Sequence, residues 1–187
     1  MPSPAAGALP PELERLSSDF QQSIDQVREL LDSTSEENLR KRPSRDRWSA
    51  LECVAHLNLS NEAMLPGIRG ALETAKPVSG RVPEAYRMDL AGRLLAWSLE
   101  PPARIKLKAS ASAMPVESGP PREVLDRFVR QHEELRRLVE VSPGRAICDE
   151  KMKSPFANIR YNAFSAFRII AAHDRRHLWQ ARQALGG

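Results

Sequence analysis

The sequence predicts an all-α protein, a four-helix bundle whose helices are joined by long irregular connections. Four long segments repeat apolar residues at three- and four-residue spacing, which is the pattern of amphipathic helices. Most of the 15 prolines fall between these segments or at their ends, and no convincing set of alternating strands is present. Amphipathic helices bury their apolar faces against one another, and a four-helix bundle is the simplest arrangement that does so.

The first long helix is predicted between Pro11 and Asp32. Proline suits the first turn of a helix, because the N–H that it lacks would have no partner there. The apolar residues at helical spacing are Leu13, Leu16, Phe20, Ile24, Val27, Leu30 and Leu31. Residues 1–9 are small and proline-containing, so we predict a flexible tail there and a single bundle domain over residues 10–187.

A helix-initiation signal at Ser49 opens the second long helix. Ser49 and Glu52 have the spacing of a capping box, in which the serine side chain accepts from the Glu52 amide and the glutamate reaches back. The apolar pattern continues to about residue 75, with Pro66 as a predicted kink or interruption. His56 lies within the first two turns of this helix, on the flank of its apolar stripe.

The segment between the second and third long helices is the least regular. A shorter helix is predicted over residues 84–99, and an extended stretch with a proline-rich loop follows from residue 104. The third long helix is predicted over residues 121–141, and an irregular connection over residues 145–160. The fourth long helix runs from Asn162 to Leu185, because that stretch contains no proline or glycine.

The last helix combines an apolar stripe with two histidines. The stripe consists of Ala163, Ala166, Phe167, Ile170, Ala181, Ala184 and Leu185. His177 lies within the stripe, and His173 lies one turn earlier at its edge. The arginines of this helix are predicted to face solvent, and they are Arg168, Arg175, Arg176 and Arg182.

Composition and charge exclude several classes of protein. No run of 18 apolar residues is present and the N-terminus lacks the features of a secretory signal, so we predict a cytoplasmic protein without a membrane span. The formal net charge is +4, and the basic cluster at residues 40–47 has no interleaved aromatic residues, so no nucleic-acid partner is predicted. Cys53 and Cys148 form no paired motif and are interpreted as free thiols.

The histidines are the candidate metal ligands. Residues four apart on a helix share a face, with about 5–6 Å between their Cβ atoms, so His173 and His177 can share one ion. His56 adds a third imidazole at a similar core-edge position on another helix. Three protein ligands with one open position are typical of catalytic zinc sites. His132 is interpreted as a satisfied core or rim histidine instead.

Asp174 follows His173 directly, so the chain contains the string H-D-x-x-H. This string resembles the zinc-protease signature H-E-x-x-H, in which the acid is the general base. Aspartate is one methylene shorter, and few residues remain after His177 to supply the downstream third ligand of a protease. Peptide hydrolysis is therefore disfavoured. For Asp174 two roles stay open: a catalytic base or partner of a metal ligand, or an ion pair with Arg175 or a neighbouring helix.

Two stretches resemble the DinB family, in its superfamily branch of small bacterial four-helix-bundle metal proteins. Residues 47–57, RWSALECVAHL, resemble the family's W-S-x-x-E-x-x-x-H-L opening of the second helix. Residues 173–182, HDRRHLWQAR, are similar to its H-E-R-R-H-L-x-Q ending. The resemblance implies that His56, His173 and His177 bind a divalent ion such as zinc or nickel. It also implies a homodimer, and it departs from the pattern at Asp174, where glutamate is common.

The resemblance also implies an activity. Family members with a known activity are mostly thiol-dependent, so we expect a metal-dependent enzyme of the thiol S-transferase type, whose substrate is a low-molecular-weight thiol. Three alternatives remain open on the sequence. They are a metal-dependent hydrolase that uses the same site, a non-catalytic metal- or ligand-binding stress-response protein, and an inactive bundle that acts only through its dimer surface.

Overall fold

Four long helices, two short helices and one small hairpin make up the fold of this computed structural model, which describes residues 9–78, 85–102, 113–115 and 119–186. The long helices are α1 (Pro11–Asp32), α3 (Ala50–Thr74), α5 (Pro121–Glu140) and α6 (Ala163–Ala184). The short helices are α2 (Glu36–Arg40) and α4 (Leu90–Leu99), and the antiparallel strands are β1 (Lys151–Lys153) and β2 (Arg160–Asn162). The predicted all-α class is confirmed.

The four long helices form the bundle. Helix α3 packs against α5 and α6, and α1 packs against the same two helices, so α1 and α3 occupy opposite corners. The predicted apolar stripes fill the centre, and the largest side chains that are almost fully buried include Phe20, Phe128 and Phe167. Short α4 lies against α6 on the outside of the bundle. None of the described helices combines the length and apolar character that a membrane span needs.

The capping box at the start of α3 is confirmed. The Glu52 amide donates to Ser49 Oγ over 3.2 Å, and the Ser49 amide donates to Glu52 Oε2 over 2.8 Å. Arg42, from the basic cluster, also donates from Nε to Glu52 Oε2 over 2.8 Å. Part of that cluster therefore stabilises the first turn of α3, and His56 lies about one turn after Glu52. Pro66 lies inside α3 and does not end it.

Helix α4 begins later than predicted, at Leu90 instead of residue 84. The described residues 85–89 are not helical, because Asp89 caps the helix and accepts from the Gly92 amide at Oδ1 over 2.8 Å. The connection predicted as irregular over residues 145–160 contains the β1–β2 hairpin. Most of the extended stretch predicted from residue 104 lies outside the described residues, as does most of the predicted N-terminal tail.

Asp89 joins three elements that meet beside α6. Its Oδ2 accepts from the backbone amide of Asn162 over 2.9 Å and forms an ion pair with Lys151 of the hairpin. Burial raises the pKa of Asp89, but the hydrogen bonds from Lys151, the Gly92 amide and the Asn162 amide outweigh burial and lower that pKa. Folding therefore favours the ionised carboxylate, and Asp89 stabilises the attachment of α4 when it is charged.

We expect Asp89→Asn to lower the free energy of unfolding at pH 7 by on the order of 1 kcal/mol, because the neutral amide cannot pair with Lys151. The pKa of Asp89 in the folded protein lies below its unfolded value of about 3.9. The difference in the free energy of unfolding between wild type and Asp89→Asn therefore persists above about pH 3.9 and shrinks as the pH falls below it. Urea unfolding of both proteins at several pH values, from about 3 to about 7, measures this difference in the free energy of unfolding. A difference that stayed constant with pH would contradict this role.

Candidate metal centre

Three of the four histidines meet at one place in the bundle. His56 projects from α3, and His173 and His177 project from consecutive turns of α6. One ring nitrogen from each residue can be chosen such that all three lie within 4.8 Å of one another. His56 Nε2 and His173 Nε2 are 3.2 Å apart. The residues singled out in the sequence are therefore neighbours, although 117 positions separate His56 from His173.

The three imidazoles fit a shared cation. Two nitrogen ligands of a tetrahedral zinc ion, each about 2.0–2.1 Å from the metal, lie about 3.3 Å apart, close to the observed His56–His173 separation. His56 Nδ1 lies 2.6 Å from the Ala113 carbonyl oxygen and donates to it, so Nε2 keeps its lone pair for a ligand. His177 Nδ1 is buried and has no hydrogen-bond partner among the described residues. An ion would satisfy this nitrogen, whose isolation otherwise carries a desolvation penalty.

The surroundings keep all three rings neutral, which is the form that binds a metal ion. Burial lowers the pKa of His56, against the opposing effect of its bond to Ala113. Burial, together with the neighbouring His56 and Arg176, lowers the pKa of His173 to about 3. Burial lowers the pKa of His177 well below its usual value, and the neighbouring His173, His56 and Arg176 lower it further. The binding form is therefore populated at neutral pH without the release of a proton.

A cavity of about 540 Å³ opens beside the histidines. That volume lies within the range of small-molecule binding sites. Its apolar lining includes Met64, Leu95, Leu99, Tyr161, Ile169 and Ile170. Trp48, which precedes the capping box, closes one side, with its ring centroid 4.8 Å from that of His56 and 5.8 Å from that of His177. The histidines thus face a largely apolar pocket and not the open surface.

Comparison with known proteins agrees with these features. The sequence model of the DinB superfamily matches residues 19–181, which is most of the chain. The chain belongs to the DinB superfamily. No curated protein and no solved structure matched the chain in the corresponding searches. The fold and the position of the three histidines in this DinB superfamily protein are those expected from the two motifs at residues 47–57 and 173–182.

Asp174 does not belong to the three-histidine group of this DinB superfamily protein. Its Oδ2 is 2.8 Å from His132 Nε2, and both side chains are fully buried. His132 Nδ1 in turn donates to the Phe128 carbonyl over 2.9 Å. Successive helical residues point about 100° apart, so Asp174 faces α5 while His173 faces the pocket. The catalytic-base role is therefore not the one that the geometry supports. His132 is the satisfied core histidine of the sequence interpretation.

Arg176 and Asn61 are polar residues of the pocket wall that the sequence analysis does not place there. Arg176 was predicted to face solvent, but it is only 5% exposed, lines the cavity and donates from Nη1 to the Ser98 carbonyl over 3.0 Å. Asn61, one turn beyond His56 on α3, also lines the cavity and is 1% exposed. The signal for Asn61 was present in the sequence, since an asparagine interrupts the buried side of a helix that is otherwise mainly apolar there.

The cysteines are free thiols, as interpreted from the sequence. Cys53 lies on the pocket wall one turn before His56. Burial raises the pKa of Cys53 to about 12, with a smaller contribution from Glu52. Its sulfur therefore stays protonated at neutral pH, and Cys53 does not belong to the group of described side chains that could hold an ion.

Proposed function

We propose that this protein binds one divalent metal ion, zinc or nickel, through His56, His173 and His177, and that it is an enzyme that transfers a low-molecular-weight thiol to an electrophile. The observation that carries the proposal is the three-histidine group at the wall of the 540 Å³ cavity. When bound, the ion would supply a positive charge that favours the thiolate form of a substrate thiol at neutral pH.

The protein's own side chains support a thiol that comes from the substrate. Cys53 is the only cysteine among the described residues that line the cavity, and its raised pKa keeps it protonated. In the transfer, the substrate thiol gives its proton to solvent at the pocket mouth. The new S–C bond forms from the sulfur lone pair, and the leaving group departs with the electrons of the broken bond. The apolar walls limit the access of competing water.

A hydrolase that uses the same centre is the second candidate. Asp46 is the only carboxylate among the described residues that line the cavity, and it is exposed, while Asp174 is bonded to His132. A buried carboxylate base next to the histidines is therefore not among the described lining residues. This observation favours thiol chemistry over hydrolysis, because a thiol needs no such base once its proton has left.

The metal content of the purified chain, prepared without a histidine tag, tests the proposal. We expect about one zinc or nickel ion per chain by elemental analysis, as for a single three-histidine site. His177→Ala should lose the ion, because only two of the three ligands remain, and Ser154→Ala is the matched control, because Ser154 lines the same pocket without belonging to the ligand group. Full metal content in all three single alanine variants of the histidines would refute the centre.

Activity assays on the metal-loaded protein then separate the candidate functions. Metal-dependent consumption of a thiol with 1-chloro-2,4-dinitrobenzene would support the transferase. Hydrolysis of p-nitrophenyl acetate without thiol consumption would support the hydrolase. Bound metal without either reaction, over a panel of thiols and esters, would favour a non-catalytic binding protein. The homodimer implied by the family resemblance stays a prediction.

A further inference from the structure

Two opposite charges lie where the cavity opens to solvent. Asp46 and Arg47 both line the cavity and are exposed, whereas His56, which lines it as well, is buried. A turn holds this segment, because the Arg47 backbone amide donates to the Ser44 carbonyl over 3.2 Å. The next residue, Trp48, has its ring centroid 4.8 Å from that of His56. The two charged residues are therefore at the cavity mouth, one residue away from a side chain that contacts the histidines.

Neither of these two charges has a partner within the described part of the chain. The side chains of Asp46 and Arg47 form no ion pair or hydrogen bond there, with each other or with another described residue. Arg42, from the same basic cluster, forms an ion pair with Glu52 and does not line the cavity. The charges of this segment that line the cavity are thus the ones that remain available to a ligand.

The positive charge of Arg47 also acts on the cavity wall. Burial and the charge of Glu52 raise the pKa of the lining thiol Cys53, and the charge of Arg47 opposes them. Charge effects of exposed groups are screened beyond about 8 Å at physiological salt. The guanidinium therefore lies near the wall, in reach of a molecule bound in the cavity.

The pairing of one acid with one arginine indicates the chemistry of the ligand. A carboxylate suits the guanidinium of Arg47, which can bind it with two parallel hydrogen bonds, and an ammonium group suits the carboxylate of Asp46. Consecutive Cα atoms are 3.8 Å apart, so both contacts can be made to one small head group. A ligand with only one of these charges is attracted by one side chain and repelled by the other. The α-amino-acid head group carries both charges on one carbon atom.

The deeper walls indicate which way such a ligand lies. Met64 and Ile170 line the cavity and are almost fully buried, so that part of the cavity suits an apolar body. A charged head group keeps its hydration only at the mouth, because burying a charge without a partner carries a large desolvation penalty. The head group therefore belongs at Asp46 and Arg47, with the side chain of the ligand directed inward.

We propose that the cavity mouth binds the zwitterionic head group of an α-amino acid, with its carboxylate on Arg47 and its ammonium group on Asp46, and that the thiol substrate is an amino-acid thiol. The inference deepens the proposed function and rests on it in assigning the head group to the thiol. The sulfur-bearing side chain then extends toward the three histidines. Asp46 and Arg47 are specificity-determining residues, which select the head group and leave the reaction to the metal centre.

Three matched probes test the head-group site without a thiol. L-Phenylalanine carries both charges, 2-phenylethylamine lacks the carboxylate, and 3-phenylpropionate lacks the ammonium group. Binding is measured by equilibrium dialysis at low ionic strength, with metal-loaded and with chelator-treated protein, and the metal content is determined in the same samples. We expect wild type to prefer phenylalanine over each of the other two probes by roughly 2–5-fold, the range of one exposed ion pair, with or without metal.

Single variants at the two positions should remove one preference each. Arg47→Gln should lose the preference over 2-phenylethylamine and keep the preference over 3-phenylpropionate. Asp46→Asn should do the reverse. Arg45→Gln is the matched control and should keep both preferences, because Arg45 is an exposed arginine of the same cluster that does not line the cavity. All three positions are exposed, so the variants should fold as wild type does.

The same crossed comparison with L-cysteine, cysteamine and 3-mercaptopropionate, in the transfer assay, tests the assignment of the head group to the thiol. Preferences among the phenyl probes without matching preferences among these thiols would overturn that assignment and leave the head-group site. No binding of phenylalanine to wild type, or preferences that persist in both variants, would overturn the site itself. Preferences that persist in the variants and disappear with the chelator would place the head group on the metal instead.

The metal content separates this inference from the proposed function. A full complement of metal without the crossed preferences removes the head-group site and leaves the metal centre. Crossed preferences in protein that binds no metal leave the head-group site and remove the metal centre.

Discussion

Replacement of Asp174 by alanine should lower the free energy of unfolding by about 3–5 kcal/mol, the range for removing one partner of a buried charged or strongly hydrogen-bonded pair. Asp174 and His132 are both fully buried, and their 2.8 Å contact joins α6 to α5 at the centre of the bundle. The variant would leave His132 Nε2 buried without its partner and would open a small cavity beside it.

Urea unfolding followed by circular dichroism measures this change. Asp149→Ala is the matched control, because Asp149 is an exposed aspartate and its loss should change the free energy of unfolding by less than about 0.5 kcal/mol. A double variant with leucine at both 132 and 174 removes both polar groups and should be more stable than Asp174→Ala. If Asp174→Ala were as stable as the Asp149 control, the buried pair would not hold α5 and α6 together.

Gly92→Ala should also destabilise the protein, by about 1–3 kcal/mol. A Cβ atom at Gly92 would lie 2.2 Å from Ser165 Oγ and 2.3 Å from Ser165 Cβ. Ser165 is fully buried on α6, and its Cβ cannot rotate away, so α4 would have to move. Alanine has the better helix propensity by about 1 kcal/mol, but the steric cost of a backbone shift exceeds this gain. Leu95 and Leu99 of α4 line the pocket, so a shift of α4 should also move the pocket wall.

Gly70→Ala provides the matched control for this prediction. Gly70 lies within α3, and a Cβ atom there would have no neighbour within 4 Å. The better propensity should therefore stabilise this variant by up to about 1 kcal/mol. Combining Gly92→Ala with Ser165→Gly restores the space. The double variant should therefore lose less free energy of unfolding than the two single variants lose in sum. Equal stability of Gly92→Ala and Gly70→Ala would show that α4 and α6 are not in close contact.

Local patterns in the sequence determined the long helices and two of the three histidines of the candidate metal centre. The first, third and fourth long helices lie close to their predicted bounds, because an amphipathic stripe of five or six turns is buried whichever helix it meets. Ser49 and Glu52 predicted the start of α3, since a capping box involves only residues within one turn. His173 and His177 share a face through helix geometry alone. The contact with His56 was expected from the family resemblance.

Tertiary structure alone decided what surrounds those histidines. Arg176 lies on the flank of α6, and that flank becomes a pocket wall only because α4 packs beside it and offers the Ser98 carbonyl. The position of α4 depends in turn on Asp89 and its contacts with the hairpin, which are distant in sequence. Asp174 turned from a candidate base into a core residue because α5 places His132 opposite it. Periodicity specifies which side of a helix is buried, but the packing of separate helices decides whether that side meets core or cavity.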